Sequence, residues 1–298
     1  TYGSGATSYS RTIPVLVRYP AGSTGPLPLV LWSHGGDKSA TGKYANSDWA
    51  DALVSAGYIM VSMSHLPRTD AERARLAVEF GLPVAAITAA VEANIDRPRD
   101  AIATLNALRA IEAAFPALAG RIDYGRIGLG GHSRGAYTVR ASSCARVDLP
   151  GHPDYSFLDP SRPTNTPLTV QVRAVLANSP QGPGRFGFST TSWRECLRPD
   201  LTQTGDGDNT DEVAADRIKP FDLMPAGDKY RMYIADRNTS HDTFNLNNPA
   251  QPRLEAYVRS TGVAFLDAYV KGLPTARAYL TGGVLARSSG GVATIVTR

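Results

Sequence analysis

Short apolar runs rich in β-branched residues recur along the chain, and stretches with helical spacing separate them. This alternation constrains the fold more than any other feature, because it calls for a mostly parallel sheet with helices on both faces. Strands are expected at residues 12–19, 29–33, 58–64, 126–130, 172–176, 200–204 and 230–235. Helices are expected at 49–56, stopped by Gly57, and at 99–115, 134–144 and 254–270. In the second of these, Ile102, Leu105, Leu108, Ile111 and Phe115 recur at spacings of three and four. No internal repeat or dividing linker interrupts the 298 residues, so the chain reads as a single domain over 1–298. Two insertions are expected: a weakly patterned stretch near 68–95, and a Pro/Asp/Ser/Thr-rich excursion at 149–167 that would cross the top of the sheet.

Within this frame, Gly131-His132-Ser133-Arg134-Gly135 follows the strand RIGLG and leads into an alanine-rich helical run. A serine flanked by glycines at that junction fits a nucleophile on a turn too tight for larger neighbours. A glycine-rich turn with a solvent-facing serine is the plain alternative. The motif alone is short enough to arise by chance, so its partners decide. A serine nucleophile needs a base, a group that orients the base, and donors for the oxyanion. The five histidines are His34, His65, His132, His152 and His241. The histidine loop of this kind of fold comes last in chain order, which selects His241 in Thr239-Ser240-His241-Asp242. The orienting carboxylate belongs between Ser133 and His241, just past a strand. There Gly205-Asp206-Gly207-Asp208 offers two candidates, with Asp208 preferred and Asp206 the alternative. Turns also use aspartate for backbone hydrogen bonds, so one of the two is expected to be structural. Calcium binding by this acidic run is disfavoured, because the twelve-residue ligand loop is missing. The Arg134 backbone N–H, at a helix N-terminus, suits developing negative charge. Ser33-His34-Gly35-Gly36 after an early strand supplies the second donor, assigned to the Gly36 N–H with Gly35 as the alternative.

Phe186, Phe188 and Trp193, with Tyr155 and Phe157, are candidates to line an acyl or aryl pocket. Closing a satellite core beneath long loops is the competing role for them.

The formal charge of +4 is spread without a basic cluster, which argues against a nucleic-acid groove. No apolar run approaches the roughly 20 residues that a bilayer span requires. The chain opens at Thr1 rather than a methionine, which suggests a processed product and a secreted or periplasmic location. Cys144 and Cys196 are either one disulfide of an exported protein or two unrelated buried thiols. Spacing alone leaves that choice open.

Taken together, GHSRGA at Ser133, SHGG after an early strand, TGDGD after a later one and SHDTF after the last resemble the α/β-hydrolase superfamily. Within it, the chain is similar to serine esterases of the dienelactone-hydrolase, acetylhydrolase and polyester-hydrolase type. The resemblance spans residues 12–280. It implies an α/β-hydrolase fold with an eight-stranded, mostly parallel sheet and a Ser133, Asp208, His241 triad. It also implies ester hydrolysis through an acyl-enzyme, with no metal or organic cofactor. The expected partner is a small-molecule or polymeric ester. Dienelactone hydrolases proper carry cysteine at the elbow, so the serine here speaks for a general esterase. Arg134 stands where many relatives carry an apolar residue. Neither the 149–167 excursion nor the tail after Thr281 has a clear counterpart. The rival readings are a peptidase or acyltransferase with the same triad, and a hydrolase fold that only binds a ligand.

Overall fold

The computed structural model describes residues 10–162 and 165–298. Among these, ten strands form: β1 (Val15–Arg18), β2 (Leu27–Ser33), β3 (Ile59–Met63), β4 (Ile122–His132), β5 (Val147–Leu149), β6 (His152–Tyr155), β7 (Val172–Asn178), β8 (Asp200–Gly205), β9 (Lys229–Ile234) and β10 (Ala293–Thr297). Eight make one sheet in the order β1-β3-β2-β4-β7-β8-β9-β10, and β5 and β6 pair separately. Neighbours from β3 through β9 run parallel, while β1 and β10 add antiparallel edges.

The inner strands are buried on both faces, as a parallel sheet between helices requires. Side-chain alternation sorts them cleanly. Val30, Trp32 and Met60 join a core with Trp49 and Leu53 of helix Ser47–Ser55 and Phe265 of helix Pro252–Leu266. Leu29, Leu31, Ile59 and Val61 face the other way, against Leu105 of helix Ala89–Asn106 and Val139 of helix Arg134–Ala141. Each large apolar side chain so buried contributes roughly 1.5–3 kcal/mol. The chain leaves β2 for β3 on one side, then returns to β4 on the other. Open sheets of this kind form their crevice at the carboxyl ends of strands where the order reverses. Here those ends are Ser33 and His132, with Ser33 registered against Gly131.

The expected helix at 99–115 is two helices, Ala89–Asn106 and Leu108–Ala114, and the first begins ten residues earlier than expected. Pro98 lies inside it. Proline cannot donate to the carbonyl four residues back. That carbonyl, on Asn94, instead accepts the Tyr137 hydroxyl at 2.7 Å, so the buried acceptor is satisfied. The stretch near 68–95 is likewise ordered. Helix Asp70–Phe80 opens with a capping box between Thr69 and Glu72 and closes on Gly81. The 149–167 excursion begins with the β5–β6 hairpin, and its Pro163 and Thr164 lie outside the described residues. Beyond Thr281, helix Val284–Ser288 leads to β10, which closes the sheet against β9. Cys144 and Cys196 form a disulfide across 52 residues of chain, beside the core of Tyr137, Tyr155, Phe157, Phe188 and Trp193.

Candidate active site

Ser133 is the hinge between β4 and helix Arg134–Ala141, with φ 56° and ψ −125°. A non-glycine residue holds such a conformation only where its surroundings impose it. The imposition is visible on both sides. The Ser133 N–H donates to the Asn178 carbonyl at 2.9 Å, and its own carbonyl accepts from Ala136 at 2.8 Å. Helix and sheet also approach more closely than any side chain would allow. A Cβ on Gly131 would lie 2.4 Å from the Gly135 carbonyl carbon, and one on Gly135 would lie 1.9 Å from the Ser33 carbonyl oxygen. The glycines around the serine are therefore a steric requirement of the turn.

Gly35, Gly36, Ser133, Thr210, His241 and Asn245 are among the walls of one cavity of about 350 Å³. His241 opens a 3₁₀ turn, His241–Asn245, that is pinned from three directions. The His132 ring donates to the His241 carbonyl at 3.0 Å. Trp49 and Asn178 both donate to the Phe244 carbonyl, at 3.1 and 3.0 Å. Asn46 bonds Asn245.

The carboxylate that meets the imidazole is Asp208, whose Oδ1 lies 2.7 Å from His241 Nδ1. Asp206 instead accepts from the Tyr233 hydroxyl at 2.6 Å. Asp208 is completely buried. Burial opposes its charge, but the hydrogen bond to His241 and the Arg217 guanidinium at 3.3 Å outweigh it, and the carboxyl stays below its ordinary range. The Thr204 hydroxyl, 2.8 Å from Oδ2, fixes the carboxylate plane. Ser133 Oγ and His241 make no hydrogen bond among the described residues, although both face the same cavity. In unliganded sites that bond is often long and tightens only when substrate fills the cavity.

The other histidines are engaged elsewhere. Burial above all holds His132 down to about 3, with the nearby His241 adding to it. His34 is pushed down to about 3 by burial, then by Arg97 and His65. His152 bonds the Phe80 carbonyl at 2.9 Å. His65 sits in a second row that was not expected from the sequence. Its Nε2 is 2.9 Å from Ser33 Oγ, and its Nδ1 is 2.9 Å from Asp100 Oδ2. All three of these residues are fully buried. Arg97, also fully buried, lies beside them. The only hint of this cluster in the sequence was a run of charges, Arg97-Pro98-Arg99-Asp100, just before an apolar helical face.

The expected oxyanion donors lie where the two loops meet. Gly36 (φ 69°) follows Gly35, and a Cβ on Gly35 would stand 3.2 Å from Ser133 Cβ. The Arg134 N–H opens its helix and so has no helical acceptor. The largely buried Arg134 side chain pairs with Asp37 at 2.6 Å and covers the Phe186 ring at 4.2 Å.

Of the two roles open to the aromatic residues, the structure shows the satellite core for Phe188 and Trp193, and the pocket role is corrected. Phe188 and Trp193 are buried in the satellite core behind the Cys144–Cys196 disulfide, their rings 4.8 Å apart and tilted by 47°. Phe186 packs on Tyr137 and Arg134 rather than on the cavity that holds Ser133. Rings of this size gain more from mutual contact in a dry core than from facing a polar cleft. Among the described residues, no group of three or more His, Cys, Asp or Glu is placed to hold a metal. No described helix is long and apolar enough to cross a membrane. No protein-family model matches the chain, and no curated protein matches it.

Proposed function

We propose that this protein is a serine hydrolase of the α/β-hydrolase fold that cleaves carboxylic esters. One observation carries the reading. The Asp208–His241 pair, 2.7 Å apart, and Ser133, held at φ 56° on a strand-to-helix turn, share a single cavity. His241 Nε2 takes the Ser133 proton as Oγ attacks the acyl carbon, and later returns a proton to the leaving alcohol. Asp208 holds the imidazole with its proton on Nδ1 and stabilises the positive charge that forms. The N–H groups of Gly36 and Arg134 receive the oxyanion, each such donor being worth about 10²–10³ in rate. Water activated by His241 then releases the acid.

The cavity walls argue for the substrate's size. About 350 Å³ lined by Gly35, Gly36, Ala45, Thr210 and Asn245 is a small space of mixed polar and apolar character, near the lower end for ligand pockets. A short acyl ester fits it better than an aromatic diester. The disulfide supports an oxidising location, secreted or periplasmic.

Hydrolysis of nitrophenyl acetate and nitrophenyl butyrate, set beside a nitroanilide, tests the reading. Turnover of the esters is expected, with Ser133→Ala abolishing it while the far-ultraviolet spectrum stays unchanged. Near wild-type turnover by Ser133→Ala would reject the assignment, and preferential anilide cleavage would move it to a peptidase.

A further inference from the structure

We propose that Arg97, with the buried row Ser33–His65–Asp100, is a positioning device for the oxyanion loop, fixing the backbone of residues 34–37 and polarising the Gly35 and Asp37 N–H groups on either side of Gly36. The inference rests on the esterase reading above and extends it to groups that never touch substrate.

The loop after β2 is held from beneath by one face of helix Ala89–Asn106. Glu92 and Asp96 bind Lys38, with the Glu92 contact at 2.6 Å. Arg97 donates to the carbonyls of His34 and Gly36, the latter at 3.2 Å, and to Ser33 Oγ at 3.3 Å. Its Nε reaches Thr138 Oγ1 at 3.1 Å, on the helix that begins at the nucleophile. One guanidinium therefore bridges the loop that would bind the oxyanion and the element that carries Ser133.

The choice of acceptors matters chemically. A carbonyl and the next residue's N–H belong to one peptide plane, so a donor to the carbonyl strengthens that N–H. Arg97 on the His34 carbonyl loads the Gly35 N–H, and Arg97 on the Gly36 carbonyl loads the Asp37 N–H. The intervening Gly35 carbonyl accepts from His34 Nδ1 at 2.7 Å, which loads the Gly36 N–H. Each carbonyl from 34 to 36 thus carries a donor. A buried cation is costly without compensation. Among the described residues Arg97 makes no ion pair, but the row links it at two removes to the Asp100 carboxylate, which Arg11 also holds at 3.0 Å. His65 donates from Nδ1 to the Asp100 carboxylate, Ser33 donates its proton to His65 Nε2, and Ser33 Oγ accepts from Arg97. Being wholly buried, this row has no access to substrate. The same residue types that would make a nucleophile at the surface here pass charge stabilisation along a chain of hydrogen bonds.

The test compares Arg97→Met, Arg97→Lys and Ser33→Ala with wild type. Readouts are kcat and KM for nitrophenyl acetate per titrated active site, inhibition by a trifluoromethyl ketone, and the thermal midpoint. Arg97→Met is expected to lower kcat by about tenfold or more, a fraction of the loss for deleting a direct donor, with KM within about twofold. The ketone, whose adduct places an oxyanion in the site, should weaken by the same factor. Arg97→Lys should restore part of both. Ser33→Ala should lower both in proportion by about threefold, and it decides the matter if Arg97→Met does not fold. Unchanged kcat and ketone affinity in the folded variants, with only the thermal midpoint lowered, would overturn the proposal while leaving the esterase reading intact. A wild-type protein that neither turns over the ester nor is labelled at Ser133 by a fluorophosphonate would overturn both.

Discussion

Acidification should destabilise this protein between pH 7.5 and 5, through its buried histidines. His65 is held at about 4 by burial and Arg97, and His34 and His132 at about 3, chiefly by burial. The unfolded chain titrates them near 6.5. Each folded-state value lies below the unfolded one, so the unfolded state binds more protons in this window, and stability falls as pH falls. At pH 5 an unfolded histidine is almost fully charged and the folded one almost fully neutral, which is worth about 2 kcal/mol per site. The three together amount to about 6 kcal/mol, comparable with the whole stability of roughly 5–15 kcal/mol of an ordinary domain. The carboxylates of Asp96, Asp100 and Asp208 are also held below their usual range, so their contribution is lost only at lower pH, below about 4. Urea unfolding at half-unit steps from pH 7.5 to 5 is the assay. The stability should decline with a slope approaching about 4 kcal/mol per pH unit near pH 5, the signature of nearly three protons taken up on unfolding. A profile flat over that range would show that these rings are already solvated or protonated in the folded protein, and the account of the Arg97 network would fail with it.

Two further outcomes follow from individual contacts. Asp208→Asn is expected to reduce kcat by about 10⁴, because the amide holds the wrong imidazole tautomer, whereas Asp206→Asn should stay within about threefold of wild type, since that side chain bonds Tyr233. Equal losses from the two, measured on nitrophenyl acetate, would refute the assignment. Replacing Cys144 and Cys196 together by alanine should cost about 4 kcal/mol in urea unfolding, the loop-closure value for 52 residues, with turnover per folded molecule retained.

The parts of the fold that depend on local chemistry were legible in the sequence. Burial on both faces writes β2 and β3 as apolar runs, and the glycines around Ser133 are forced by the contact of helix with sheet. The helix at residues 70–80 was hidden by its weak apolar pattern, although Thr69-Asp70-Ala71-Glu72 spelled out its capping box. Pro98 hid the first half of the helix Ala89–Asn106, because nothing nearby in sequence says that a tyrosine 39 residues on will satisfy the carbonyl it frees. The aromatic residues left two roles open for the same reason. Whether Phe188 and Trp193 face a cleft or each other is decided by the hairpin and disulfide that enclose them.

The two serine–histidine–aspartate rows show how little residue type alone decides. Both have an Nδ1–carboxylate contact under 3 Å, and Ser33 even completes the hydrogen bond that Ser133 leaves open. What separates them is access. Ser133 and His241 reach a cavity, so a proton moved there can be exchanged with a substrate. Ser33, His65 and Asp100 reach no solvent, so their protons can only stay in place and order the backbone above them. On the proposed reading, the closed row belongs beneath the oxyanion loop and the open one beside the ester bond to be broken.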